Sequence, residues 1–148
     1  MVRQQIDELM DFNGTVLRPA YMGAIQPMMA KRFKKTELTS EQQQSIKEAF
    51  MRTIPYAFKR LERSLLEKNK EGIYGTSLKC PISGENIPSI ADYQLFCEFI
   101  DFEYFKKGEL DHFSLDIWGK KHPRLKIWYD ALKSDQNEEA LKWSKGLR

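Results

Sequence analysis

The segment from Ile90 to Phe105 would be apolar on nearly every side if it formed a helix. The apolar surface of such a helix is removed from water only when other elements surround it, so the helix belongs in the middle of a bundle. Its start carries the form of a capping box, with Ser89 as N-cap and Asp92 in place of the usual glutamate. Pro88 restrains the entry, and we predict a central helix from Ser89 to Lys107. The apolar and aromatic residues of this run are Ile90, Ala91, Tyr93, Leu95, Phe96, Cys97, Phe99, Ile100, Phe102, Tyr104 and Phe105.

A long amphipathic helix is predicted from Val2 to about Ala30, because apolar residues recur there at steps of three and four. Pro19 and Pro27 each remove a backbone donor and crowd the preceding turn. We therefore expect a bend near residues 18–21 and a break near Gln26. The apolar residues on this face are Ile6, Leu9, Met10, Leu17, Ala20, Tyr21, Ala24 and Met28.

A second helix is predicted from Ser40 to about Asn69, and its periodicity is the clearest in the chain. Pro55 interrupts it and should kink it, because the proline ring clashes with the carbonyl four residues earlier. The inner face consists of Ile46, Phe50, Ile54, Ala57, Leu61 and Leu65. The side expected to face water carries Glu62, Arg63, Glu67 and Lys68.

The rest of the chain predicts a long loop and two more helices. Glycines and prolines between Lys70 and Pro88 indicate the loop. Beyond Gly108 the pattern is less regular until His122-Pro123, where proline in a first turn begins a helix. Its inner side is formed by Leu125, Trp128, Tyr129 and Leu132. A last short helix is expected from Asn137 to Lys145, with Gly146 as its C-cap.

No segment alternates as a β-strand does, so we predict an all-α chain. Its 148 residues, of which 41% are apolar, suit a single domain of five to six helices, residues 1–148, packed around the capped central helix. No window offers the roughly 18 consecutive apolar residues that a membrane span needs. The N-terminus carries charges where a signal peptide needs its apolar run, so we expect a cytoplasmic protein without membrane contact.

The charged and metal-binding residue types indicate neither a nucleic-acid site nor a metal site. The net charge is only +3, and basic and acidic residues alternate over most of the chain. The only cysteines and histidines are Cys80, Cys97, His112 and His122, at spacings that match no zinc motif. Cys97 falls in the apolar run and is expected to be a small core residue, whereas Cys80 lies in the loop and is expected to be more accessible.

Three stretches resemble the C-terminal helical domain of soluble glutathione transferases, most closely the theta class. Residues 88–98, Pro-Ser-Ile-Ala-Asp-Tyr-Gln-Leu-Phe-Cys-Glu, resemble the start of that domain's central helix, which opens with a Ser/Thr-x-x-Asp capping box. Val2 to Arg18, with Asp7-Glu8-Leu9 and Leu17-Arg18-Pro19, resembles the domain's first helix in the theta class. His122 to Trp128 resembles its Pro-x-Leu-x-x-Trp helix.

The resemblance implies a two-domain enzyme of which this chain supplies one half. In the family, a thioredoxin-like N-terminal domain holds the co-substrate glutathione and stabilises its thiolate, and nothing before Val2 matches that domain. The expected reaction is conjugation of glutathione to a small electrophile by a homodimer, with no other cofactor. This chain alone would contribute no catalytic residue, and whether it acts as an enzyme depends on the missing partner domain.

By the same resemblance, four residues are candidates for contacting the electrophile. Arg18 is carried over as an anion or substrate contact, with an interhelical salt bridge or an interface position as the alternative. Met22 and Ile25 would form part of the pocket wall, and their alternative is ordinary core packing. Trp143 lies in the final helix, which covers the pocket in theta enzymes.

Three further points limit these expectations. Ser89 and Asp92 are not expected to form a catalytic pair, because capping accounts for both and no histidine stands beside them in sequence. The loop from Tyr74 to Ile87 is longer than the family usually has, which indicates either a contact surface or a tolerated insertion. The chain as a whole could instead be a stand-alone, non-catalytic interaction module, since similar helical domains occur in translation factors and synthetase complexes.

Overall fold

The computed structural model describes residues 1–23, 27, 37–68, 72–100 and 115–146, with the backbone alone for 67–68, 115–117 and 135–146. Within these ranges the chain is all-α, as predicted. The helices are α1 (Val2–Phe12), α2 (Ser40–Lys68), α3 (Ile90–Ile100), α4 (Leu115–Lys121) and α5 (Pro123–Gly146). A π-helical turn, Asn13–Leu17, follows α1, and residues 18–23 continue as helix. None of the described helices is long and apolar enough to cross a membrane.

The π turn is the first departure from α-geometry, and it lies one turn before the expected bend. Arg18 donates its backbone N–H to the carbonyl of Asn13, five residues back, and residues 18–23 are helical through Pro19. A wider turn at this point makes room for the Pro19 ring, which would crowd the carbonyl of Thr15 in a regular α-helix. The break expected near Gln26 lies outside the described residues.

Helix α2 buries the face that its sequence predicts and runs without interruption through Pro55. All six residues of the predicted inner face are at most 7% exposed, and Phe58 is buried beside them. The prediction for the outer face is wrong at Glu62, which is half-buried and hydrogen-bonded to α5. Arg63 is exposed as expected, while the side chains of Glu67 and Lys68 lie outside the described residues.

Helix α3 packs against α1, the π turn and α5, in agreement with its predicted central place. The prediction that it is covered on all sides is wrong at Ile90, which is 68% exposed, and at Cys97, which is also exposed. These two residues are seven positions apart and share one helix face, opposite to the buried residues. The predicted continuation of the helix to Lys107 lies outside the described residues.

The C-terminal part differs from the sequence prediction in two ways: it contains an additional helix, α4, and its two predicted last helices form a single one, α5. Helix α4 lies where an irregular segment is expected, and it buries Trp118. The two helices expected after His122 are one, α5, because no glycine or proline interrupts residues 124–145. The predicted inner residues of α5 are at most 1% exposed. Aromatic rings from α2, α3, α4 and α5 form the centre of the core, with neighbouring centroids 5.0–6.3 Å apart: Phe58, Phe96, Phe99, Trp118, Trp128 and Tyr129.

The loop between α2 and α3 is ordered by its own backbone hydrogen bonds over residues 78–87. Lys79 pairs with Asn86 in an antiparallel bridge, and Ile87 donates to the carbonyl of Leu78 at 2.9 Å. Gly84 closes the turn with φ +73°, a conformation that glycine adopts without a steric penalty. At the tip, Ile82 is 97% exposed.

Candidate functional site

Asp92 is fully buried and accepts four hydrogen bonds, two on each carboxylate oxygen. Oδ2 accepts the backbone N–H of Ser89 at 2.8 Å and its hydroxyl at 2.7 Å. Oδ1 accepts the backbone N–H of Gly75 at 2.6 Å and the indole N–H of Trp128 at 2.9 Å. In return, Asp92 donates its own N–H to Ser89 Oγ at 3.4 Å, which completes the reciprocal bonds of a capping box.

This arrangement gives Asp92 a structural function and leaves it no capacity for catalysis. A carboxylate has about four lone-pair positions, and here four donors occupy them. No substrate reaches Ser89 either, since it is only 2% exposed. The cluster of Ser89, Asp92, Gly75 and Trp128, hereafter the Asp92 cluster, therefore ties the loop, α3 and α5 together.

Gly75 is required in the Asp92 cluster because a larger residue would not fit. A Cβ at this position would lie 2.8 Å from Leu9 Cδ1, 3.0 Å from Asp92 Oδ1 and 3.1 Å from Leu65 Cδ2. The absence of a side chain allows the backbone N–H to approach the buried carboxylate. Neither Gly75 nor Trp128 is indicated as a partner of Asp92 by the local sequence, because they lie 17 and 36 residues away.

Arg18 forms an interhelical ion pair with Glu98 of α3. Its Nε lies 2.9 Å from Glu98 Oε1, and the Glu98 side chain is only 6% exposed. The salt-bridge alternative for Arg18 is therefore present in the structure. The Arg18 side chain is itself 60% exposed, so the outer part of its guanidinium remains open to an anion.

Of the other three candidate contacts, Met22, Ile25 and Trp143, the structure describes the side chain of Met22. Met22 is 41% exposed, so its alternative, ordinary core packing, is wrong. It lies one helical turn after Arg18, on the same face. Ile25 lies outside the described residues. Trp143 belongs to α5, but its side chain also lies outside them.

A second buried helix start uses a carboxylate that the sequence does not indicate. Glu62 of α2 accepts the backbone N–H of Arg124 on Oε1 at 2.9 Å and that of Leu125 on Oε2 at 2.7 Å. The N–H groups in the first turn of a helix have no acceptor within that helix, so Glu62 of α2 caps the start of α5. His122 stands directly before that turn, with its ring centroid 5.8 Å from that of Phe58. Partial burial lowers the pKa of His122, and the nearby charge of Glu62 opposes that shift.

The cysteines differ in exposure from their sequence prediction. Cys97 is exposed, whereas Cys80, expected to be the more accessible, is partly buried. Hydrogen bonds from the backbone N–H and the hydroxyl of Ser83 lower the pKa of the Cys80 thiol. Within the described part of the chain, no three side chains of His, Cys, Asp or Glu are grouped so that they could hold a metal ion.

Compared with models of protein families, with curated proteins and with solved structures, the chain gives no match.

Proposed function

We propose that this chain is the C-terminal, electrophile-binding domain of a theta-like glutathione transferase of the cytoplasm. In this role it pairs with a thioredoxin-like domain in a homodimer. By the resemblance, the partner domain binds glutathione and generates the thiolate. The helical domain then supplies the wall against which the small electrophile lies.

The proposal is supported above all by the contacts between the three stretches that carry the resemblance. Trp128 of the third stretch donates to Asp92 of the second at 2.9 Å. Arg18 of the first stretch pairs with Glu98 of the second at 2.9 Å. The matching stretches are far apart in sequence, yet their residues contact one another directly. Residues that maintain one common fold would do the same.

Arg18 and Met22 are the residues through which we expect the electrophile to be held. The exposed side of the Arg18 guanidinium suits a negatively charged or polarised group, and the half-exposed thioether of Met22 suits an apolar body. Glu98 holds Arg18 in place from within the core. The chemistry of the reaction, attack by the thiolate, belongs to the partner domain.

Nuclear magnetic resonance of methionine methyl groups tests this role directly. The chain has six methionines, so labelling with carbon-13 gives six signals, of which Met22 is assigned by Met22→Leu. Titration with S-benzylglutathione should shift the Met22 signal, while glutathione alone should not, because its site lies in the other domain. Arg18→Ala should weaken the response to S-benzylglutathione.

Matched controls lie on α2. Met51 is 44% exposed, about as much as Met22, and its signal should stay in place. Arg52→Ala removes an exposed arginine from α2 and should leave the titration unchanged. Equal shifts of Met22 and Met51, or no shift of Met22, would contradict the proposal. So would failure of the chain, when joined to a thioredoxin-like domain, to yield a protein that binds glutathione in a calorimetric titration.

One observation favours the second function, a non-catalytic interaction module. In this role a protein partner covers Ile82, which is 97% exposed at the tip of the ordered loop. An assembly module should self-associate or bind a partner through this tip, and Ile82→Ser should abolish that association in light scattering. Loss of association in this variant, together with an unresponsive Met22, would favour the module over the enzyme domain.

A further inference from the structure

A cleft of about 500 Å³ opens between α1 with its π turn on one side and α2 on the other. Leu9 and Leu61 form its apolar floor and are at most 4% exposed, while Phe12 forms part of one wall. This volume lies within the range of small-molecule sites, which combine an apolar lining with a few polar groups. The cleft is separate from Arg18 and Met22, neither of which lines it.

Two unlike charges stand on opposite walls of this cleft without neutralising each other. Asp11 projects from α1 and Arg60 from α2, and both are exposed. Arg60 lies over the Phe12 ring, 5.5 Å from its centroid, which fixes the guanidinium at the cleft. Among the described residues neither charge has an ion-pair partner, whereas Glu8 and Arg63, which also line the cleft, are engaged in interactions of their own.

We propose that this cleft binds a short zwitterionic peptide with an apolar side chain. Its ammonium group contacts Asp11, its carboxylate contacts Arg60, and its apolar side chain rests on Leu9 and Leu61. Among the described residues, Asp11 and Arg60 form no ion pair, so one molecule that carries both an ammonium group and a carboxylate would neutralise both charges. A dipeptide supplies these two charges together with an apolar side chain, and a cleft of about 500 Å³ has room for it.

Isothermal titration of the chain with alanyl-phenylalanine tests the proposal, with phenylalanine and two blocked peptides as comparisons. The unblocked peptide should bind saturably. Its N-acetyl form lacks the ammonium and its C-terminal amide lacks the carboxylate, so each should lose about tenfold in affinity, as expected for one charge-assisted contact. Free phenylalanine should bind more weakly than the dipeptide.

Two variants test whether the ammonium group of the peptide contacts Asp11 and its carboxylate contacts Arg60. Asp11→Asn should bind the unblocked and the N-acetyl peptide equally, while still distinguishing the amide. Arg60→Gln should show the converse pattern. The matched controls are Asp130→Asn on α5 and Arg52→Gln on α2; both residues are exposed and lie outside the cleft, so these variants should bind like the parent.

Three results would overturn the proposal. One is the absence of saturable binding by the parent chain, whose fold is verified by circular dichroism in the same sample. The second is equal binding of the free and both blocked peptides. The third is an unchanged preference in Asp11→Asn and Arg60→Gln. S-benzylglutathione is also a zwitterionic peptide and could enter this cleft, but its titration is read at Met22, which does not line the cleft, so the two proposals fail separately.

Discussion

Two helices of this protein begin at a buried carboxylate, but the carboxylates come from different places. Helix α3 is capped from within by Asp92, three residues after its N-cap Ser89. Helix α5 is capped from outside by Glu62, which reaches it from α2 across 62 positions of sequence. Asp92 is fully buried and has four donors, whereas Glu62 is half-buried and has two. A cap can thus be a local property of a helix or a tertiary contact between helices.

Asp92→Asn should have the largest effect on stability. The asparagine side chain has the same volume as that of Asp92, but its NH₂ group is a donor. It would face either the two donors of Ser89 or the donors of Gly75 and Trp128. We expect a loss of about 3–5 kcal/mol in the free energy of unfolding, because buried donors lose a charged acceptor. Urea unfolding followed by tryptophan fluorescence measures it. A smaller loss than that of Glu62→Gln would reverse the ranking of the two caps.

Gly75→Ala tests whether the contact between Gly75 and Asp92 depends on the close approach of the Gly75 backbone to the carboxylate. The added methyl would collide with Leu9, Leu65 and Asp92, so we expect about 1–3 kcal/mol of destabilisation in urea unfolding. The control is Gly14→Ala, because a Cβ there meets nothing within 4 Å. That change should be neutral or should stabilise by up to about 1 kcal/mol. Equal effects of the two changes would show that close approach at Gly75 is unimportant.

Glu62→Gln measures the external cap of α5. One acceptor oxygen remains, but the new amide NH₂ faces a backbone N–H, so we expect a loss of about 1–2 kcal/mol. Glu48→Gln is the matched control on the same helix, where the exposed carboxylate accepts a hydrogen bond from Gln44, its one such donor among the described residues. It should change stability by no more than about 0.5 kcal/mol. If both variants melt alike, the Glu62 contacts do not stabilise α5.

Ser89→Ala should cost less than any change at Asp92 itself. It removes one hydroxyl donor and the weak acceptor at 3.4 Å, while the Ser89 backbone bond to Asp92 persists. A loss of about 1 kcal/mol is expected, the usual value for an N-cap serine. Thermal melts of parent and variant provide the comparison, and identical melting temperatures would exclude a capping role for the side chain.

The smallest effect is a pH dependence at the start of α5. Burial holds the pKa of His122 below its ordinary value of 6.5, so the unfolded chain binds more protons than the folded one in this window. Stability should therefore fall as the pH drops through 6.5 toward the folded pKa. In His122→Gln this fall should be shallower in urea unfolding between pH 7.5 and 5.5. His112→Gln provides the comparison, and parallel profiles for parent and His122→Gln would rule out this contribution.

The local cap and the helix faces follow from the sequence, whereas the tertiary cap does not. Ser89 and Asp92 stand within one helical turn, so their spacing alone indicates their contact. Repeating apolar steps likewise predict the buried faces of α2 and α5. The Glu62 contact is invisible because a glutamate on a polar stretch has the same local pattern whether it faces water or a helix end.

The candidate electrophile site is less accessible to sequence reasoning than the caps. The family resemblance indicates Arg18 as a contact but assigns no role to Glu98, whose burial becomes apparent only when α3 packs against the first helix. The sequence does not predict helix α4, because its seven residues are too few to show a periodicity, although Trp118 is buried in the core. The apolar run likewise hides the exposure of Cys97, since neighbouring helices, not hydropathy, decide which face is covered.

The partners of Asp92 lie on both sides of it in sequence, so the Asp92 cluster can be completed only in a certain order during synthesis. When Asp92 leaves the ribosome, Ser89 and Gly75 are already available, but Trp128 is still 36 residues from being made. A nascent chain therefore carries a carboxylate with one acceptor position unfilled, and until α5 emerges this position must stay hydrated. Docking of α5 brings the indole N–H of Trp128 to Asp92, so the Asp92 cluster is complete only once the last quarter of the chain has been made.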